Sequence, residues 1–137
     1  MFAHWLFTAT RSIGSFLARR VQALHERHRQ LAGQHIRETR GIALLREWLS
    51  PEQRVQFDAN RYFDVVGCCS GKRYRIRYGS AANVCEMDIS GRPTVGLCFV
   101  PTGNLVAGDV MLAQKIALET NEGTALAVAN RFPVQAT

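Results

Sequence analysis

The chain has 137 residues, of which 47% are hydrophobic and 20% are charged, and its formal net charge is +6. This composition is typical of one globular domain with an appendage, and it excludes a disordered chain as well as a second domain of ordinary size. Eight arginines stand against three glutamates in residues 1–49, so the excess positive charge is concentrated in the N-terminal third. The guanidinium group of arginine suits bidentate contacts with phosphate or carboxylate groups. An ordinary positively charged, solvated surface would also explain the large number of arginines.

Residues 2–24 have the pattern of an amphipathic, basic helix. Aromatic and aliphatic residues recur at helical spacing, and arginines lie between them. The candidates for contact with a partner are Phe2, Trp5, Leu6, Arg11, Phe16, Arg19 and Arg20. Polar residues interrupt the apolar ones at once, and no apolar run of about 18 residues exists. The pattern therefore predicts neither a secretory signal nor a membrane-spanning helix.

Three interpretations of residues 2–24 stay open. The helix docks on the domain or on a partner protein, it lies on an anionic membrane surface, or it is a presequence that is removed.

The next segment, residues 25–40, is polar nearly all round and predicts either a solvated helix or a flexible connector. Residues 1–40 are therefore predicted to form a basic helical arm.

A pair of short helices is predicted to open the compact domain. Ile42, Leu45 and Leu49 share one helical face, which ends at Leu49. Ser50 is followed directly by proline and, three residues on, by glutamine, which is the sequence of a capping box. This pattern predicts that a second helix begins after Ser50.

A β-hairpin is predicted to follow, with its turn at residues 70–71. In that register Val65 lies opposite Ile76 and Asp64 lies opposite Arg77. Apolar side chains then meet apolar ones on the core face. An acidic side chain meets a basic one on the other face.

The outer face of this hairpin carries an arginine ladder, which consists of Arg73, Arg75 and Arg77. The carboxylates predicted to flank the ladder are those of Asp64, Glu86 and Asp88. Two interpretations stay open. The arginines form cross-strand ion pairs on a solvated face, or they bind nucleic-acid phosphates while exposed tyrosines stack on bases.

Two more strands are predicted at residues 84–90 and 94–100. The side chains predicted to face the core are Cys85, Met87 and Ile89 from the first strand and Val95, Leu97 and Phe99 from the second. In this arrangement Cys69 and Cys85 face the core, whereas Cys68 and Cys98 face outward. Four thiols placed in this way do not converge as a tetrahedral zinc site requires. The prediction is reduced thiols, no metal and no cofactor.

The last predicted element is a helix with Asp109 as its N-cap and a break or kink at Gly123, closed by Pro133. The predicted fold class is α+β, with a helical arm, a short helix pair, a four-stranded antiparallel β-meander and a covering C-terminal helix. Arm, domain and tail are predicted at residues 1–40, 41–133 and 134–137.

The common catalytic motifs do not occur in the chain. No phosphate loop, dinucleotide fingerprint, zinc-protease pair or hydrolase elbow is present, and no residue is predicted to be catalytic. The chain is predicted to be a non-enzymatic, cytoplasmic interaction module that docks on a protein through its arm. Two alternatives stay open. These are nucleic-acid binding through the arm and the arginine ladder, and peripheral membrane attachment through residues 2–24.

Overall fold

A computed structural model describes residues 2–135 of the protein, with side chains from Gly14 to Gln135. In chain order the elements are helix α1 (Phe2–Trp48), helix α2 (Pro51–Asn60), strands β1 (Tyr62–Val66), β2 (Arg73–Arg77), β3 (Val84–Met87) and β4 (Pro93–Cys98), helices α3 (Ala107–Thr120) and α4 (Glu122–Val128), and strand β5 (Asn130–Pro133). The chain divides into two compact units, one ending at Arg37 and the other beginning at Glu38. The first unit is helical, and the second contains the sheet.

Helix α1 is a single helix of 47 residues. Residues 25–40 are helical and mostly exposed, which agrees with the first of the two predicted alternatives, a solvated helix. None of the helices in the described part of the chain is both long enough and apolar enough to cross a membrane.

The predicted capping box at Ser50 is confirmed. The Ser50 hydroxyl accepts a hydrogen bond from the backbone N–H of Gln53 at 3.2 Å, and the Gln53 side chain accepts one from the Ser50 N–H at 3.0 Å. Helix α2 ends at Arg61, which has a left-handed backbone with φ of 60°. The capping box at Ser50 and the left-handed residue Arg61 thus define the two ends of α2, and β1 begins directly after Arg61.

The sheet is antiparallel and its strands lie in sequential order, but it has five strands where four were predicted. The additional strand, β5, pairs with β4 and places Phe132 opposite Gly96. A Cβ atom at Gly96 would lie 2.1 Å from the Phe132 ring, so the glycine makes room for this aromatic side chain. Residues 130–133 therefore dock as a strand instead of extending the preceding helix.

The predicted boundaries of the C-terminal helix were wrong. Helix α3 begins at Ala107, after an N-cap at Val106 that has no side-chain hydrogen bond, and not after Asp109. The break falls at Asn121, whose extended φ of −150° separates α3 from α4, and not at Gly123. Asp109 lies in the first turn of α3, where a carboxylate interacts favourably with the helix dipole, so its residue type did not mark the N-cap.

The predicted hairpin register was wrong by two residues. Phe63 pairs with Ile76 and Asp64 pairs with Arg75. The connection is a longer loop, closed by a hydrogen bond of 2.8 Å from the Gly67 N–H to the Lys72 carbonyl. Because a shift of two residues preserves the alternation of side chains, the core face and the arginine face were assigned correctly.

The predicted orientation of β3 was wrong, because its register differs by an odd number of residues. Val84 pairs with Ile76 on the core face, whereas Cys85 pairs with Arg75 on the outer face. Met87 also lies on the outer face, opposite Arg73. The other predicted core residue of this segment, Ile89, is fully exposed beyond the strand.

The predicted division of the cysteines was only partly right. Cys68 is exposed and Cys98 is half-buried on the outer face, but Cys69 is exposed and Cys85 is buried on the outer face. In β4 the prediction is confirmed, since Leu97 is buried and both Val95 and Phe99 pack against the core.

The core lies between the inner face of the sheet and the helices of the second unit. Its buried members are Leu45, Leu49, Phe57, Phe63, Val65, Tyr74, Ile76, Val84, Leu97, Met111, Leu118 and Ala125. Two glycines allow α1 and α3 to cross closely, because a Cβ on Gly108 would lie 2.3 Å from the carbonyl carbon of Gly41. One sheet edge is covered by α2, whose Gln53 and Gln56 side chains bond the backbone C=O and N–H of Asp64.

Candidate functional site

An exposed apolar row runs along α1 within the first unit. Leu17, Val21, Leu24 and Leu31 are between 56% and 65% exposed, although fully apolar side chains usually lie in a core. Phe16, at the N-terminal end of the row, is 62% exposed, and the Arg20 guanidinium lies 5.5 Å from the centre of its ring. This row is the largest set of regularly spaced, exposed aliphatic side chains on a described helix.

The spacing of the row is that of a coiled coil. From Leu17 onward the steps are four, three, four and three residues, with His28 at the fourth position. Such alternation assigns Leu17, Leu24 and Leu31 to the d positions of a heptad, and Val21 and His28 to the a positions. We call Leu17, Val21, Leu24, His28 and Leu31 the α1 seam.

Three of the predicted partner-binding residues have described side chains. Phe16, Arg19 and Arg20 are all exposed on α1. The other four predicted partner-binding residues have side chains outside the described part of the chain. These are Phe2, Trp5, Leu6 and Arg11. The described part of the arm therefore presents both apolar and cationic groups.

The arginine ladder is organised around Arg75. Its guanidinium donates two hydrogen bonds to the Asp64 carboxylate, at 2.9 and 3.1 Å, and lies 3.9 Å from the centre of the Tyr62 ring. The hydrogen bond to Asp64 is the main cause of a raised pKa for Arg75. The charge of Arg75 is thus neutralised within the protein, and the Tyr62 ring is already stacked.

The other two arginines of the ladder have fewer contacts. Arg77 lies 5.8 Å from the centre of the Tyr62 ring, and Arg73 is exposed and in no ion pair within the described part of the chain. Asp64 pairs with Arg75 and not with Arg77, as a result of the register shift. The ladder therefore keeps two guanidinium groups exposed.

The other carboxylates predicted to flank the ladder lie elsewhere. Glu86 is on the core side of the sheet, opposite Tyr74, and forms an ion pair of 2.9 Å with Lys72. Asp88 accepts hydrogen bonds from Ser90 and from the backbone of Arg92 in the following turn, and the Ser90 hydroxyl is the main cause of its lowered pKa. Among residues 14–135, ion pairing of the ladder is therefore limited to Asp64.

A buried carboxylate anchors the loop that joins β1 and β2. Glu122, only 1% exposed, accepts hydrogen bonds at 2.9 Å from the backbone N–H groups of Cys69 and Ser70. It also accepts one from the Tyr74 hydroxyl at 2.6 Å and one from the Ser70 hydroxyl. Gly67 permits this approach, since a Cβ there would lie 2.3 Å from the carboxylate.

The protonation states of this anchor are fixed near neutral pH. Burial by itself raises the pKa of Glu122, but hydrogen bonds from Ser70, Tyr74 and the two backbone amides outweigh burial and lower that pKa to about 2. Burial, followed by the hydrogen bond to Glu122, raises the pKa of Tyr74. A permanently ionised carboxylate beside a permanently protonated phenol acts as a structural clamp, because neither group exchanges a proton near pH 7.

The same loop brings potential metal ligands together. The thiols of Cys68 and Cys69 are 3.5 Å apart, and they and a Glu122 oxygen lie within 4.8 Å of one another. Both oxygens of Glu122, however, already accept two hydrogen bonds each. The pKa of Cys69 is raised, chiefly by its hydrogen bond with Cys68, which disfavours the thiolate that a metal requires. The absence of a metal site stays a prediction.

The clefts on the second unit include a polar one and an apolar one. A polar cleft of about 650 Å³ is bounded by α2, α3 and the first two strands, and within it Lys115 pairs with Glu119, which also accepts a hydrogen bond from Gln53. An apolar cleft of about 290 Å³ is lined by side chains that include Phe99, Leu105, Val110 and Val128. The buried polar side chains of both clefts already have partners within the domain. In the apolar cleft, for example, Gln114 forms two hydrogen bonds with the buried Asn83 side chain.

Comparisons of the chain with protein-family models, with curated proteins and with solved structures found no match.

Proposed function

We propose that the protein is an interaction module that docks on a partner protein through the α1 seam. The observation that carries this proposal is the exposure of Leu17, Val21, Leu24 and Leu31, each more than half accessible on a helix with coiled-coil spacing. Each Å² of apolar surface that a partner removes from water stabilises the complex by about 25 cal/mol. A partner that covers it therefore gains binding energy along the whole segment.

The usual source of helix stability supports the same proposal. Most helical stability in proteins comes from burial of an apolar face and not from helix propensity. The first unit contains Gly14 and Gly33, which lower helix propensity, and only one acidic residue, Glu26, to balance its arginines. A bound partner would supply the burial and the negative charge that this segment lacks.

The shape of the apolar row favours a protein over a membrane surface. Helices that lie in a bilayer interface present a broad apolar face, whereas a row confined to a and d positions is the narrower seam of a coiled coil. His28 interrupts the row, and the arginines at positions 20 and 27 border it closely. This pattern suits a neighbouring helix better than a lipid layer.

The contacts of the arginine ladder make nucleic acid the weaker alternative. Asp64 neutralises Arg75, which also covers Tyr62, so one cation and one stacking platform of the ladder are already engaged. Arg73 and Arg77 remain exposed, and with the arginines of α1 they are the groups that would contact phosphates.

The test uses the full-length chain as bait, with two variants that separate apolar burial from charge. Leu17→Ser/Leu24→Ser/Leu31→Ser removes the seam, and Arg19→Gln/Arg29→Gln removes two charges that face away from it. Retention of a partner protein should be lost in the first variant and kept in the second at about 0.5 M salt, where exposed charges are screened. Binding of anionic vesicles or of oligonucleotides that falls steeply with salt and ignores the seam variant would contradict the proposal.

A further inference from the structure

The residues that border the α1 seam determine what kind of helix fits it. In the heptad assigned above, the g positions are occupied by Arg20, Arg27 and Gln34, and the e positions by Ala18, His25 and Ala32. The g and e side chains lie beside the partner helix in a coiled coil and set the choice of partner. The α1 seam is thus flanked by cationic or neutral groups and by no carboxylate.

From this arrangement, and resting on the proposed function, we infer that the partner segment is an acidic amphipathic helix that forms a coiled coil with residues 17–35. Glutamates at the partner's e and g positions would approach Arg20 and Arg27 while its apolar a and d residues cover the leucines. The exposure of both arginines leaves their guanidinium groups accessible to such carboxylates.

A second copy of the same chain fits this surface less well. In a parallel pair, Arg20 of one copy would approach His25 of the other, and no carboxylate would lie at any flanking position. In an antiparallel pair, g positions meet g positions, so arginines meet arginines or Gln34. Like charges that face each other destabilise the pair, so this geometry selects against self-association.

His28 adds a constraint on register. Within residues 17–35 two of the three a positions are histidine, His28 and His35. A polar residue at an a position lowers the stability of a coiled coil but specifies its alignment, because a shifted register would bury the polar group against apolar side chains. The partner is therefore expected to place a polar residue opposite His28, within an otherwise apolar seam.

The test uses three synthetic four-heptad peptides with identical apolar a and d residues and one asparagine at a. They differ only at e and g, which carry glutamate, glutamine or lysine. Binding to the full-length chain is measured by fluorescence anisotropy at physiological salt, and the oligomeric state of the chain alone by sedimentation. We expect the glutamate peptide to bind about tenfold more tightly than the glutamine peptide, and the lysine peptide to bind most weakly.

Two charge variants provide a matched control. Arg20→Gln/Arg27→Gln removes two charges that border the seam, whereas Arg19→Gln/Arg29→Gln removes two charges from the positions that face away from it. The first variant should lose most of the preference for the glutamate peptide. The second should retain it, although its net charge is the same.

The outcomes separate this inference from the proposed function. If all three peptides bind equally and the seam variant Leu17→Ser/Leu24→Ser/Leu31→Ser abolishes binding, docking through the seam holds and the acidic partner is overturned. If the chain alone forms a stable dimer that the seam variant dissociates, the occupant is a second copy and the inference is wrong. If the chain is monomeric and none of the three peptides binds to it, the inference is also overturned. The retention experiment with the full-length chain then tests the proposed function by itself.

Discussion

Helix α1 contains two leucines that illustrate the difference between its N-terminal and C-terminal parts. Leu24, in the first unit, is 64% exposed, whereas Leu45, in the second unit, is fully buried in the core. Both lie in a helix of the same chain, and both belong to a row of apolar residues at spacings of three and four. The same helical spacing of apolar residues therefore occurs on a stripe that the core covers and on one that is exposed, so spacing alone does not predict burial.

The first prediction applies the same substitution to both leucines. Leu45→Ala should lower the free energy of unfolding of the domain by about 3 kcal/mol, because it leaves a cavity in a closely packed core. Leu24→Ala should change it by less than about 0.5 kcal/mol, since alanine favours the helix and no described contact is lost. Denaturant melts followed by tryptophan fluorescence measure both. Equal losses would mean that the domain buries the arm.

The second prediction concerns the buried anchor of the domain. Glu122→Gln should destabilise the domain by about 2 kcal/mol, because the amide group turns one acceptor oxygen into a donor that faces existing donors. Glu47→Gln is the matched control on the exposed surface of α1, where we expect less than about 0.5 kcal/mol. Thermal or denaturant unfolding of the two variants at neutral pH provides the comparison, and a harmless Glu122→Gln would contradict the anchor.

The pH dependence of the anchor follows from its lowered pKa. The pKa of Glu122 is about 2 in the folded protein, against an ordinary value of 4.5. A carboxylate with a depressed folded pKa contributes stability that is complete above the unfolded value and is lost as the pH falls toward the folded value. The stability difference between the wild type and Glu122→Gln should therefore shrink between pH 4.5 and about 2. A constant difference across this range would show that the carboxylate charge is not involved.

The third prediction concerns the arginine ladder, where smaller effects are expected. Arg75→Ala should cost about 1 kcal/mol, because it removes a bidentate, half-buried ion pair and the stacking on Tyr62. Arg77→Ala should cost less than about 0.5 kcal/mol, since Arg77 is exposed and only distantly stacked on the same ring. Unfolding experiments that reversed this order would support the register in which Asp64 faces Arg77.

The fourth prediction is the absence of an effect. Deletion of residues 1–37 should leave the free energy of unfolding of the remaining domain within about 0.5 kcal/mol, because every member of the buried core lies beyond Glu38. Circular dichroism should show loss of helix without a change in the cooperative transition of the domain. A deletion variant that fails to fold would show that arm and domain are not separable.

Local signals in the sequence predicted the elements whose stabilisation is itself local. The capping box at Ser50 is confirmed because its two hydrogen bonds join residues three apart, and the helical face of Leu45 and Leu49 is confirmed because its spacing is fixed by helix geometry. Alternation likewise assigned the faces of β1 and β2 correctly. These features need no knowledge of the remaining chain.

Features that depend on distant residues were mispredicted. The hairpin loop is held by Glu122, which lies 53 residues beyond Cys69, and no local signal marks this glutamate as buried. The loop that it holds is longer than the predicted turn, and the register differs from the predicted one by two residues. Residues 130–132 were predicted to belong to the helix, because only the facing Gly96 shows where Phe132 packs.

The sequence by itself determined that this protein has a basic, amphipathic N-terminal helix, a capped helical corner and an antiparallel sheet with one apolar face, because these properties follow from charge and from periodicities of 3.6 and 2. Only the tertiary structure decided the register of the hairpin, the orientation of β3, the fifth strand and the burial of Glu122. Strand register and buried polar contacts are fixed by the free energy of packing between segments far apart in sequence, and a local pattern does not contain this information.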